Sequence, residues 1–111
     1  MNFYEFINKN DIAILVIANV RNKRFDIIKK NIELESCDLF ENLIVFSSVD
    51  NLFESVRGQI LPRIWIQGNT KCVICQPNDE HIVALFYENC MDLKENYFYA
   101  KRLDSMRREL F

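Results

Sequence analysis

The chain has 111 residues, half of them hydrophobic and 27% charged, with 14 Lys+Arg against 16 Asp+Glu for a net charge of -2. That length supports one domain with one modest core, and the near balance of charge removes any electrostatic reason to expect nucleic acid or an anionic membrane as the main partner. Glycine and proline are scarce at two each, which excludes long flexible linkers and collagen-like or disordered organisation.

Residues 2 to 8 predict two helical turns, with Phe3, Phe6 and Ile7 facing inward. Ile12 to Val20 is a continuous, β-branched run and predicts a strand buried on both faces. The polar break Arg21-Asn22-Lys23 follows. A second strand is expected at about Arg24 to Leu34, with Phe25 and Ile27 on one face and Ile28 on the other. Lys29-Lys30-Asn31 interrupts it and marks a bulge or an exposed edge.

A long helix is predicted from Asp38 to Val56. Leu39, Leu43, Phe46, Val49, Phe53 and Val56 recur at helical spacing as one apolar seam. Phe40 and Ile44 widen the seam on one flank, and Val45 and Leu52 on the other. A chain this short has little core left to receive these extra side chains. A second partner, another copy of the chain above all, would account for them. Asp38 with Glu41 three residues on resembles a capping box, Ser36 is a competing cap, and Gly58 is placed to close the helix.

Three strands come next in close order. Ile60 to Gln67 places Ile60, Ile64 and Ile66 on one face and Leu61 and Trp65 on the other. Pro62 cannot donate to a ladder, so the strand begins after it or lies at a sheet edge. Gly68-Asn69 signals a hairpin turn before the strand Lys71 to Gln76. Pro77-Asn78-Asp79-Glu80 signals another turn before the strand His81 to Tyr87. Asp92, with Glu95 three residues later, opens a final helix whose inner face is expected at Leu93, Tyr97, Ala100, Leu103, Met106, Arg107 and Leu110.

No catalytic or metal constellation of comparable strength is present. Cys72-Val73-Ile74-Cys75 has CxxC spacing, but strand alternation sends the two sulfurs to opposite faces. The four cysteines (Cys37, Cys72, Cys75 and Cys90) read as reduced thiols. His81 is the only histidine and lies beside a turn, without a third group to make a Cys–His nucleophile. Asp79, Glu80 and Glu88 form no defensible carboxylate pair, and no phosphate-cradling glycine loop exists. No cofactor and no enzymatic activity are expected. Lys101, Arg102, Arg107 and Arg108 form a basic cluster suited to an acidic partner surface, and one of the consecutive aromatics Tyr97, Phe98 and Tyr99 must point away from the sheet. MNFYEFINKND has no basic n-region or cleavage site, RRELF has no prenylation cysteine, and no apolar run reaches transmembrane length. A cytoplasmic location without direct membrane insertion is the expectation.

Two strands, a helix, three strands and a helix is the order of the profilin-like folds, and over roughly residues 12 to 110 the chain resembles the roadblock (dynein light chain) family. The likeness is best in RIWIQGNTKCVICQPNDEHIVALFYENCMDLKENYFYAKRLDSMRREL. That stretch reads as a strand ending in a glycine turn, an apolar strand, a polar turn, an apolar strand and an Asp-led helix. Two features depart from the family. Only about ten residues precede the first strand, where members usually carry a full helix, and Arg21-Asn22-Lys23 replaces the usual turn glycine.

The resemblance implies a single domain over residues 1–111, with a five-stranded antiparallel sheet in the order 2-1-5-4-3. It also implies a homodimer whose sheets join at the third strand while the long helices pack together across the join. Phe40, Leu43, Ile44, Val45, Leu52 and Trp65 are the expected partner contacts. By resemblance, the function would be that of a non-enzymatic scaffold or regulator of a small Ras-like GTPase, or of a trafficking or motor complex. Three readings compete: a PAS-type small-ligand sensor, a zinc or thiol protein built on the cysteines, and a bacterial immunity-type inhibitor. One continuous helix between strands two and three argues against the first.

Overall fold

The computed structural model describes residues 2–29, 34–59 and 61–107. Its centre is a five-stranded antiparallel sheet in the order β2-β1-β5-β4-β3. The strands are β1 (Ile14–Asn19), β2 (Arg24–Lys29), β3 (Arg63–Gln67), β4 (Thr70–Cys75) and β5 (His81–Glu88). The strand order and the α+β class are those implied by the resemblance. β1, β4 and β5 are the inner strands, and their apolar runs are buried on both faces, as continuous runs of this kind require. β3 begins directly after Pro62 and forms one edge, which meets both alternatives that the proline left open.

Helices cover both faces. Helix α1 (Phe3–Lys9) is capped by Asn2, whose side chain accepts from the Glu5 amide at 2.8 Å, and it buries Phe6 and Ile7. With α4 (Leu93–Arg107) it covers the face made by Leu15, Ile17, Val73, Val83, Leu85 and Tyr87. The opposite face, including Val16, Cys72, Ile74, Ala84 and Phe86, is covered by the segment between β2 and β3. Cys72 and Cys75 thus enter different faces, and all four cysteines are free thiols.

The connection from β2 to β3 departs from expectation. It is not one continuous helix. A helical turn, α2 (Asp38–Phe40), runs into a π-helical turn (Glu41–Val45), and a separate helix α3 (Val49–Val56) follows. Ser48 is extended, and its hydroxyl accepts from the Asn51 amide at 3.1 Å. That serine cap starts a new helix inside what spacing reads as one seam. The wide turn, in which the Phe46 amide donates to Glu41 O at 2.8 Å, also rotates the phase. Phe46 is therefore 74% exposed, while Leu52, placed by spacing on the flank, is buried. Nor is Asp38 the cap: Cys37 precedes α2 without a side-chain capping bond. Gly58 does follow α3 with φ +72°, in the place foreseen for it.

The last helix is rotated from its predicted face. Its buried residues are Asn96, Ala100 and Leu103, with Tyr99 packed beside them, whereas Leu93 is 75% exposed. Asn96 is buried because Tyr87 Oη donates to its Oδ1 at 2.8 Å. Asp92 caps the helix as expected, accepting from the Glu95 amide at 2.8 Å. Ahead of it, buried Lys71 directs Nζ to Asn89 O, Asn89 Oδ1 and Met91 O, tying β4 to the loop before α4. In the turn between β1 and β2, Lys23 takes φ +62°, the conformation a glycine would adopt without strain, and its Nζ pairs with Asp50 of α3. The expected interruption at Lys30-Asn31, Ile60 at the start of the predicted third strand, and Arg108 and Leu110 lie outside the described residues, as do the side chains of Met106 and Arg107.

Candidate partner-binding surface

The surface is built on β3. Its inner edge pairs with β4 from Arg63 opposite Ile74 to Gln67 opposite Thr70. Its outer edge carries no strand partner among the described residues. A bare edge presents unpaired backbone donors and acceptors, and here they are accompanied by Ile64, Trp65 and Ile66. Trp65 and Leu61 pack toward the α3 side, and Ile64 toward the α4 side. Ile66 is 41% exposed.

Two hydrogen bonds fasten the helical segment to this edge. Gln67 Nε2 donates to Asp38 Oδ2 at 3.3 Å at one end, and Arg63 Nη1 donates to Ser55 O at 2.6 Å at the other. The Arg63 guanidinium also lies 4.7 Å from the Trp65 ring centroid. Between these two anchors the chain passes through the π turn and the Ser47-Ser48 break. Val45 and Phe46 project there, 54% and 74% exposed.

The six residues expected as partner contacts fall into three groups. Ile44 and Leu52 are turned into the chain's own core, at 3% and 2% exposure, and offer no surface to a partner in this conformation. They are hidden because the π turn and the second helix start bring both side chains into the cluster that holds Val16, Cys72, Ile74, Ala84 and Phe86. Phe40, Leu43 and Trp65 are half-buried against the same core. Phe40 meets Phe86 edge-on at 5.4 Å, with Lys29 Nζ 5.4 Å from its ring. Val45 remains exposed. Spacing missed Phe46 and Ile66. The Ser47-Ser48 pair was the available signal for Phe46, since a capping serine directly after an apolar residue interrupts a helical seam.

The thiols show no convergence. Burial pushes the Cys72 thiol well above its ordinary range, which works against a thiolate there. Among the described residues no group of three or more His, Cys, Asp or Glu is placed to hold a metal ion. His81 is partly exposed at the start of β5, with Nδ1 3.0 Å from Asn78 Oδ1. No helix among the described residues is long and apolar enough to cross a membrane.

No protein-family model matches the chain, and no curated protein matches it. Among solved structures it is similar to Myxococcus xanthus MglB, with a TM-score of 0.51 and 7% identity, over 95% of this chain and 87% of that one. The fold is roadblock-like. At that level of identity the likeness is one of architecture, and it spans nearly the whole chain. The short first helix is present as α1, and Lys23 does the work of the missing turn glycine.

Proposed function

We propose that this chain is a single roadblock-like unit that acts as a non-enzymatic, homodimeric scaffold or regulator of a small Ras-like GTPase, or of a trafficking or motor complex. The observation that carries the reading is the unpaired apolar edge of β3, together with Val45 and Phe46, which are exposed on the segment that two hydrogen bonds fasten to that strand. Pairing of this edge with its counterpart in a second copy would satisfy the free backbone groups and cover these side chains together. The similarity to Myxococcus xanthus MglB supports the architecture on which this assembly depends. Each apolar side chain fully covered contributes about 1.5 to 3 kcal/mol before the cost of lost freedom.

Molar mass in solution tests the dimer. Wild type is expected at twice the chain mass and Phe46→Asp at the chain mass, still cooperatively folded, with a melting temperature lowered only by the stability that association lends. A wild-type monomer at high concentration overturns the dimer. The regulator reading is tested separately, with a panel of Ras-like GTPases loaded with GDP or a GTP analogue. Binding or altered nucleotide hydrolysis that is lost in Phe46→Asp supports it, and silence across the panel leaves only the scaffold reading.

A further inference from the structure

Helix α4 carries a second surface, away from β3, that the sheet does not use. Tyr97 and Phe98 are 47% and 59% exposed, and their rings meet edge to face with centroids 5.7 Å apart. Leu93, one turn before Tyr97, is 75% exposed. Lys94 stands one turn before Phe98, and Lys101 one turn after Tyr97, with its Nζ 5.7 Å from the tyrosine ring. Helical spacing places these five residues on one outer stripe. The inner side is already filled by Asn96, Tyr99, Ala100 and Leu103, so the outer aromatics serve no core. The helix holds Lys94, Lys101, Arg102 and Arg107 against Glu95 and Asp104, a local charge of +2 in a chain of net charge -2.

We infer that this stripe docks an acidic amphipathic segment of a partner protein. Its apolar side chains would lie on Leu93, Tyr97 and Phe98, and its carboxylates would meet Lys94 and Lys101. Aromatic residues are the usual anchors of such contacts, and the flanking charges steer and orient the encounter. An anionic bilayer is the poorer occupant. It is a plane, and it would bring lipid phosphates against Glu95 and Asp104 of the same helix, and Asp92 at its cap, as well. A protein segment can set its carboxylates point by point. The surface stands on α4 alone and is independent of the dimer and of the GTPase reading.

The test uses the full chain and a fluorescent helical peptide with a leucine face flanked by glutamates. Its controls are the same peptide with lysine in place of glutamate, and vesicles of phosphatidylcholine and phosphatidylserine. The acidic peptide is expected to bind, more weakly as salt is added. Tyr97→Ala/Phe98→Ala and Lys94→Glu/Lys101→Glu should each weaken it by about tenfold or more. These side chains are exposed, so both variants should keep the wild-type thermal melt, and the melt is measured alongside. No binding of the acidic peptide, equal binding of the lysine peptide, or binding that both variants leave intact overturns the proposal. Vesicle binding without peptide binding overturns it in favour of a membrane surface.

Discussion

The two edges of the sheet differ in kind. Both edge strands open with an arginine, Arg24 in β2 and Arg63 in β3, and both expose one isoleucine, Ile27 at 43% and Ile66 at 41%. β2 surrounds its isoleucine with exposed Arg24, Asp26 and Lys29, charges of the type that discourage a second strand from pairing. β3 has Trp65 and Ile64 instead, and its arginine is folded back onto Trp65 and Ser55. The lesson is that bare backbone does not make an interface. What distinguishes β3 is the absence of charge after Arg63 and the exposed Val45 and Phe46 on the segment fastened to it.

The largest expected effect separates folding from association on the β3 side. Ile44→Asp places a carboxylate in the core and should cost more than about 4 kcal/mol in urea melts, enough to unfold the chain. Phe46→Asp, two residues on and exposed, should stay cooperatively folded while losing the dimer, giving up only the stability that association lends at the working concentration. If both variants unfold, the surface assigned to Phe46 is core after all.

The arginines come next. Arg63→Ala removes a charge-assisted hydrogen bond to Ser55 O and the ring contact with Trp65, and should cost about 1.5 to 3 kcal/mol. Arg24→Ala, on the exposed end of β2, should change stability by less than about 0.5 kcal/mol. Equal losses would erase the distinction between the edges. A smaller effect is expected from the isoleucines. Ile66→Lys should weaken dimerisation by about tenfold, read from molar mass against concentration, and Ile27→Lys should leave it unchanged. The reverse result would move the interface to β2.

The smallest effect sets the middle of the sheet apart from both edges. Burial raises the ionisation of Tyr87 and Tyr99 above the ordinary tyrosine range, so both are neutral in the folded chain where the unfolded chain begins to ionise. Stability is full below about pH 10 and falls as the pH rises through the interval between unfolded and folded values. Urea melts at rising alkaline pH should show this fall, and it should be shallower in Tyr87→Phe.

Much of this fold could be read from residue order. The hairpin at Gly68-Asn69, the proline that delays β3 and the apolar runs of β1 and β5 are local signals, and the structure follows each of them. What could not be read depended on contacts between distant elements. Asn96 looks like an outward residue until Tyr87 supplies its hydrogen bond, and that pairing sets the rotation of α4. The Ser47-Ser48 break sits inside a regular apolar spacing, so hydrophobic periodicity carried straight across it. Because that phase was lost, the sequence reading placed Leu52 outside and Phe46 inside, and part of the candidate surface was displaced by a turn. The opposed faces of Cys72 and Cys75, by contrast, required only strand alternation.

Lys71 has a consequence for how the molecule breathes. Because its Nζ is spent on acceptors at Asn89 and Met91, the loop ahead of α4 cannot lift from β4 without stranding a buried amine. The amides of Asn89 and Met91, bonded to Asn69 O and Asn89 Oδ1, should therefore exchange in step with β4, as one cooperative unit, rather than at the fast rate common to loops.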